Sequence, residues 1–460
     1  MLYEQAPQLV YRYTDFAVTL QRDPRPGTYT TLVTEADGRP VTGTFANPLS
    51  PTELSMAVAS IRTGGNVLQR SVPEESLDPV RDMGARLYDA LCQGSLGRAL
   101  LRALDSPETG VRVRLVVTDD DAAGLPWEFL YDRRRDDFLV LSTRSPLVRR
   151  TVDPGEGPPT TPPLPALDSP ARILVAIADV TGFWQVGVEL GELQLAADQS
   201  GNADLHVLEN ATIASLENAL ATFRPHLVHL IATGVEEGRR GFGSVRQQLA
   251  LLKDDDAVAP GSGPRPHVLL DGKRLAEMFG HADGLRAVIL NGCHVDVLAR
   301  DVARVVPATV GHRGDITDHA AVAFTKGFYS ALLNGLPLEA AATGGRLEID
   351  SRDPGGREWS AAVMYLQTPD GTFLRTREEI VPTSPVQTSG SAPPPAEAPP
   401  ESVEQQSLLS LLTIHQSNLD ALNAQRDRLS SPPSFLLQKI EDTTSEIDRL
   451  KGLVTAAASR

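Results

Sequence analysis

One cysteine stands at the end of a short apolar run, where a thiol can act as a nucleophile. Cys293 follows the run at 287–290 (AVIL) and precedes a helical pattern that starts near Val295. A sulfur in that position lies near a helix N-terminus, which lowers the pKa of a thiol and favours the thiolate. The sequence therefore predicts a candidate nucleophile, and the alternative is a small buried residue at a strand end.

A nucleophilic thiol also needs a base within hydrogen-bond reach. The natural place is the end of the neighbouring strand, which here is Thr233, and a threonine hydroxyl takes no proton at neutral pH. His229 shares a face of that strand but lies four residues back, roughly 13 Å away at about 3.3 Å per residue. His294 and His312 are substitute bases only if loops bring them to the sulfur. Otherwise we expect both in loops, and His229 in the core.

The elements that must position these residues alternate between strand and helix. Apolar runs predict strands at 172–178, 205–208, 226–231, 287–290 and 308–311, and helical spacing predicts helices at 189–197, 212–223, 295–305 and 318–334. This alternation predicts an α/β fold with a mainly parallel sheet covered by helices on both faces. Functional groups of such sheets collect at the carboxyl ends of neighbouring strands, where Thr233 and Cys293 fall.

The chain divides into four predicted parts. They are a β-rich N-terminal region (1–75), an α/β domain (76–375) with an internal Pro-rich linker (152–170), a second Pro-rich linker (376–401) and a helical hairpin (402–460). Asp37-Gly38 predicts a β-hairpin turn in the first part. The two leucine stripes of the last part are separated by Pro432-Pro433. Because so small a hairpin rarely supports its own core, we expect it to pack on a partner, a second copy or the main body.

Composition narrows the class of protein. The 460 residues hold 43 Lys and Arg against 59 Asp and Glu, a formal net charge of −16. Such a chain repels phosphate backbones, which disfavours a nucleic-acid partner. Two cysteines suit a reducing compartment, and neither a signal pattern nor a membrane-spanning apolar window is found, so we expect a cytoplasmic protein. No tight His/Cys/Asp cluster has ligand spacing, so no metal or other cofactor is expected.

Several segments, taken together and in order, resemble CHAT domains of the caspase-like cysteine peptidase clan. They are 125–132 (LPWEFLYD), the strand end 229–234 (HLIATG), 287–293 (AVILNGC), 306–311 (VPATVG), 318–329 and 359–366. The resemblance covers about 76–375. It implies a caspase-like three-layer sandwich with a mainly parallel sheet, preceded by the β-rich region and followed by the α-helical hairpin.

The resemblance also implies roles for individual residues. Cys293 takes the nucleophile position, Thr233 takes the position of the family's general-base histidine, and the backbone N–H groups of Gly234 and Cys293 become the oxyanion donors. Ala232 and Gly292 replace the usual Gly and Ala beside those positions. His229 is then a supporting histidine or a substitute base. Loss of a general base typically costs about 10²–10⁴-fold in rate, so the resemblance implies a degenerate peptidase.

Two functions of different classes follow from these patterns. The first is a regulatory pseudopeptidase of a prokaryotic defence or regulated-death system, which recruits a protein partner through 402–460, a segment similar to effector-associated helical modules. The alternative is an active cysteine endopeptidase that cleaves a peptide or protein substrate with Cys293 and a base from outside the family position. A weaker third idea is a ligand sensor that uses the same crevice at the strand ends.

Overall fold

Apolar strands buried on both faces form the centre of the molecule. The computed structural model describes residues 13–34, 40–63, 79–105, 110–152, 162–168, 170–180, 186–238, 245–254 and 265–375, together with Thr444 and Lys451. The strands are β1 (Tyr13–Arg22), β2 (Thr28–Thr34), β3 (Pro40–Ala46), β4 (Gly110–Val117), β5 (Tyr131–Asp132), β6 (Asp137–Phe138), β7 (Leu147–Thr151), β8 (Ala171–Ala178), β9 (Ala203–Leu208), β10 (Leu227–Ala232), β11 (Gly234–Glu237), β12 (Arg246–Leu252), β13 (His267–Leu270), β14 (Ala287–Asn291), β15 (Ala308–His312) and β16 (Ala362–Leu366).

Helices cover both faces of these strands. They are α1 (Pro51–Thr63), α2 (Pro79–Leu91), α3 (Gly94–Leu104), α4 (Asp120–Gly124), α5 (Val186–Ser200), α6 (Ile213–Phe223), α7 (Gly272–Gly280), α8 (Asp296–Val302), α9 (Asp318–Leu333) and α10 (Leu338–Arg352). Three short 3₁₀ turns lie at Trp127–Phe129, Leu139–Leu141 and Glu358–Ala361.

The central sheet has eleven strands in the order β3-β2-β1-β4-β7-β16-β15-β14-β10-β8-β9. Neighbours run parallel except at β3–β2, β2–β1 and β16–β15. Successive residues of β10 alternate between two cores: Leu227 and Ile231 pack with α5, α9 and α10, whereas Val228 and Leu230 pack with α6, α7 and α8. The predicted α/β architecture, a mainly parallel sheet between two helical layers, is confirmed.

The N-terminal strands belong to this same sheet. β1 pairs in parallel with β4, where Phe16 lies opposite Val113, and Phe16, Val18 and Leu20 are buried in the core shared with α9 and α10. Strands β2 and β3 pair antiparallel up to Thr34 and Pro40; the predicted Asp37-Gly38 turn between them lies outside the described residues. The sheet therefore continues across the predicted boundary at 75/76.

Local signals explain where several elements begin. Thr212 caps α6, and Ser215 completes a capping box by accepting from the Thr212 N–H at 2.9 Å. Helix α9 is capped by Thr317, whose hydroxyl accepts from the Ala320 N–H at 3.2 Å. Asp318, the next residue, lies in the first turn of α9.

Several other elements of the structure were not predicted from the sequence. The region 235–266 contains most of β11 and all of β12, which form an antiparallel three-stranded sheet with β13. Helix α10 was not predicted, because its Gly344-Gly345 pair and run of alanines weaken the helical periodicity. In the predicted linker 152–170, Leu167 is buried and forms a β-bridge with Leu374.

The segment 125–132 contributes a buried tryptophan to the core and one partner of a buried ion pair. Trp127 is fully buried, and the Glu128 carboxylate lies against Arg149, with Oε1 to Nη2 at 2.7 Å. Arg149 and Arg313 also donate to the backbone carbonyls of Ala123 and Leu125. The segment is thus structural: Trp127 packs in the core and Glu128 pairs with Arg149.

Replacing Glu128 by glutamine should destabilise the fold by about 3–5 kcal/mol, because Arg149 then stays buried without a counter-charge. Urea unfolding followed by circular dichroism measures this loss. The matched control is Asp121→Asn, which breaks an ion pair with Arg22 that is largely exposed to water and should leave the unfolding midpoint unchanged. Equal midpoints for Glu128→Gln and the wild-type chain would contradict the assignment.

Candidate active site

The ends of β10 and β14 lie in direct backbone contact. The two strands are parallel neighbours, with Ile231 opposite Asn291. A Cβ atom on Gly234 would lie 1.9 Å from the carbonyl oxygen of Cys293, and one on Gly292 would lie 2.0 Å from that of Ala232. Both positions therefore need glycine, and this contact brings the segment of Thr233 and the segment of Cys293 to one edge of the sheet.

The Cys293 thiol is partly exposed and is held by the loop before α9. Its sulfur accepts from the Ile316 N–H at 3.4 Å and lies 3.6 Å from the Ile316 carbonyl oxygen. The N–H contact favours the thiolate, and the carbonyl contact, to which a thiol donates, favours the neutral thiol. A cavity of about 70 Å³ opens beside Cys293, lined by the start of α5, the ends of β10 and β14, and the first turn of α9.

Thr233 stands beside this cysteine segment without supplying a base. Its carbonyl accepts from the Ala250 N–H at 2.9 Å, and its hydroxyl oxygen is buried without a hydrogen-bond partner among the described residues. The cavity lining includes Ile231 but not Thr233. The position where the family resemblance places a general base thus holds a buried hydroxyl.

His229 is a fully buried residue beneath this edge. Its Nε2 lies 2.8 Å from Glu189 Oε1 and its Nδ1 lies 3.0 Å from the Tyr329 hydroxyl. A neutral ring satisfies both contacts, since Nε2–H donates to the carboxylate and the tyrosine hydroxyl donates to Nδ1. Both nitrogens are engaged within the core, as expected for a supporting histidine.

His294 follows the cysteine and sits between two carboxylates. Its φ of 54° is left-handed; its Nε2 lies 2.9 Å from Asp315 Oδ1, and its Nδ1 lies 3.7 Å from Glu236 Oε1. The pKa of His294 is raised first by Glu236 and also by Asp315, against the opposing effect of burial. This histidine therefore fastens the loop that carries Ile316 to strand β11.

His312 does not reach the site as a base. It is fully buried in β15, edge-on to Phe324, and burial lowers its pKa to about 4. The expectation that His312 is a loop or surface residue is wrong: the strand extends one residue beyond the predicted 308–311, and the side chain turns into the helix-covered core.

A polar chain runs from His294 into the core. Glu236 accepts from Gln247 at 2.7 Å, the same Gln247 nitrogen donates to Asp296 at 2.9 Å, and Arg313 donates to Asp296 at 3.1 Å. Sequence reasoning missed these residues, and also Glu189 and Asn291. The position of Asn291, two residues before the candidate nucleophile, was the available signal for one of them.

Among the described residues, no group of three or more His, Cys, Asp or Glu side chains could hold a metal ion. Within the same part of the chain, every helix is too short or too polar to cross a membrane.

Iodoacetamide at pH 8 should alkylate Cys293 and spare Cys92. Burial raises the pKa of Cys92 to about 12, so only about 10⁻⁴ of it is thiolate at that pH, whereas Cys293 is partly exposed and faces an N–H donor. Peptide mass spectrometry reads out both positions, and Cys293→Ala should remove the adduct. Equal labelling of both thiols in the folded protein would contradict this description.

Substituting His294 by asparagine should destabilise the protein in a pH-dependent manner. Asparagine tolerates the left-handed backbone, so the change removes mainly the charge. Because the pKa of His294 is raised on folding, its stabilisation is fully present below pH about 6.5 and is lost as pH rises through the folded pKa.

The free energy of unfolding should therefore differ between wild type and His294→Asn by about 0.5–1 kcal/mol at pH 6, and the gap should narrow toward pH 9. Urea unfolding at a series of pH values measures it. A gap that widens with pH would show that the imidazolium does not make these contacts.

Comparison with known proteins agrees with the fold and with the order of the sequence motifs. The CHAT domain family matches residues 81–367, more than half of the chain. No curated protein matches the sequence significantly. The matched region spans the sheet from β4 to β16 and both segments of the candidate site. The chain is therefore a member of the CHAT domain family, with a caspase-like, peptidase-type α/β domain.

Proposed function

We propose that this CHAT domain is a degenerate peptidase that binds a peptide segment at Cys293 and acts as a regulatory protein. The observation that carries the proposal is the buried, unpartnered hydroxyl of Thr233 at the general-base position. His229 directs both ring nitrogens into the core, and His312 is enclosed.

What remains at the site supports binding more than turnover. The cavity, the partly exposed sulfur and the two adjoining strand ends are in place, so a peptide carbonyl can be received near the backbone N–H groups of Gly234 and Cys293. Without a base, removal of the thiol proton and its delivery to the leaving amine should be about 10²–10⁴-fold slower. A long-lived bound state is the expected result.

The second candidate is an active cysteine endopeptidase that uses His294 as its base. Its support is the position of His294 directly after Cys293 and its contact with Asp315, which orients the ring as a carboxylate does in a nucleophile–base–acid arrangement. In this mechanism the imidazole takes the thiol proton, the sulfur attacks the peptide carbonyl carbon, and the proton passes to the departing amine.

We also propose that the protein acts in a prokaryotic defence or regulated-death system, that the chain has the four predicted parts, and that 402–460 recruits a partner. The defence role rests on the sequence resemblance, and the four-part division rests on the Pro-rich clusters and the leucine stripes. Of the 402–460 segment, the structure describes Thr444 and Lys451, so the predicted hairpin lies outside the described residues.

Restoring the family base tests the proposal. Thr233→His should raise proteolysis of an unstructured protein substrate by at least about 100-fold over wild type, and Cys293→Ala in the same chain should abolish the gain. Fragments are followed by mass spectrometry. Cleavage by the wild-type chain that is abolished by His294→Asn would instead establish the second candidate and overturn the first.

A further inference from the structure

The cavity beside Cys293 has apolar walls and a polar floor. Ile231, Val186 and Val322 contribute to the walls. Asn291 contributes to the floor; its side chain is 3% exposed, and its Oδ1 has no hydrogen-bond partner among the described residues. A buried carbonyl oxygen without a donor costs free energy, so this floor is suited to a ligand that brings one.

Glu189 adds a buried carboxylate to the same floor. The hydrogen bonds described for it come from His229, Thr325 and Asn291, and all three end on Oε1. Burial acts to raise the pKa of Glu189, but these donors outweigh it and the pKa is lowered. The group is an anion at neutral pH, and the described bonds leave its Oε2 for the cavity that it lines.

The size of the cavity limits what can reach this floor. Its volume of about 70 Å³ corresponds to roughly five water-sized probes at about 10–15 Å³ each. A guanidinium head has four heavy atoms and an ammonium head has one, so both fit. The apolar walls then suit the methylene stem of the same side chain.

We propose that this cavity binds the cationic head of an arginine or lysine side chain from a peptide lying across Cys293, with Glu189 Oε2 and Asn291 Oδ1 as acceptors. The inference rests on the proposed function, since it names the side chain that the peptidase-type site receives. It concerns binding of a peptide side chain, which does not require a base at position 233.

Among the described residues around the cavity, two helix starts oppose a cation: that of α5, which carries Glu189 in its own first turn, and that of α9. A helix N-terminus carries a partial positive charge. Two carboxylates of the opposite sign lie at the start of α9: Asp318 lines the cavity in the first turn, and Glu358 accepts from the Thr317 N–H at 2.6 Å. The electrostatic balance of the lining therefore remains acidic.

Protection of Cys293 in the full chain tests the inference. The thiolate displaces iodide from iodoacetamide, and n-butylguanidinium in the cavity should slow this alkylation at least fivefold at saturation. The neutral 1-pentanol and the anionic hexanoate, which have similar stems, should not protect. Equal protection by the three compounds, or none by the cation, would overturn the inference.

Two variants test whether Glu189 is responsible for the protection of Cys293. Glu189→Gln keeps the shape of the side chain and should abolish protection, whereas Glu192→Gln on the same helix, paired with Arg352 outside the cavity, should retain it. If Glu189→Gln does not fold, Asn291→Ala provides the test. Losing one hydrogen bond to a charged group should raise the concentration of n-butylguanidinium that gives half protection about tenfold or more. Unchanged protection in a folded Glu189→Gln chain, or in Asn291→Ala, would overturn the inference.

The Thr233→His chain separates this inference from the proposed function. Cleavage after arginine and lysine supports both, whereas cleavage without that preference refutes the cationic cavity and leaves the missing-base account intact. An inert Thr233→His chain whose Cys293 is protected by n-butylguanidinium refutes the missing-base account and leaves the cavity assignment intact.

Discussion

The candidate site depends on one steric constraint, the contact of two backbones where β10 and β14 end. Gly234 packs against the Cys293 carbonyl and Gly292 packs against the Ala232 carbonyl, with no space for a side chain at either glycine. Any larger residue would push the strand ends apart by more than a bond length. This contact sets the distance between the two segments regardless of which side chains they carry, so the arrangement of the site persists although its base position holds threonine.

Recognition and proton transfer belong to different elements of this fold. The floor of the cavity is supplied by α5 and β14, through Glu189 and Asn291, whereas Thr233, at the base position, follows the end of β10. The two ring nitrogens of His229 contact Glu189 and Tyr329. A substitution at position 233 therefore leaves the floor unchanged. On the proposed function, turnover can be lost while the proposed cationic recess is kept, because the two depend on different segments of the chain.

The sequence predicted the strands of the site well, because strands buried on both faces are continuous apolar runs, such as 226–231 and 287–290. It also placed Thr233 and Cys293 on neighbouring strand ends. It could not predict that Glu189, 104 positions before Cys293 in the chain, reaches the same cavity, because only the packing of α5 against α9 brings it there. Strands β11 and β12 were missed, since glycines and polar residues around them hide their pattern, and α10 was missed because its small residues carry little periodicity.

The N-terminal strands have a consequence for how this domain is delimited. Residues 13–20 pair along the whole of β4, yet the family match begins only at residue 81. A polypeptide cut to the matched residues would carry β4 as a bare edge, with a row of unsatisfied peptide groups and, on one face, the apolar side chains of Val111, Val113, Leu115 and Val117. Exposed edges of that kind pair with other chains and aggregate. The first three strands therefore serve as a cover that keeps the sheet from self-association.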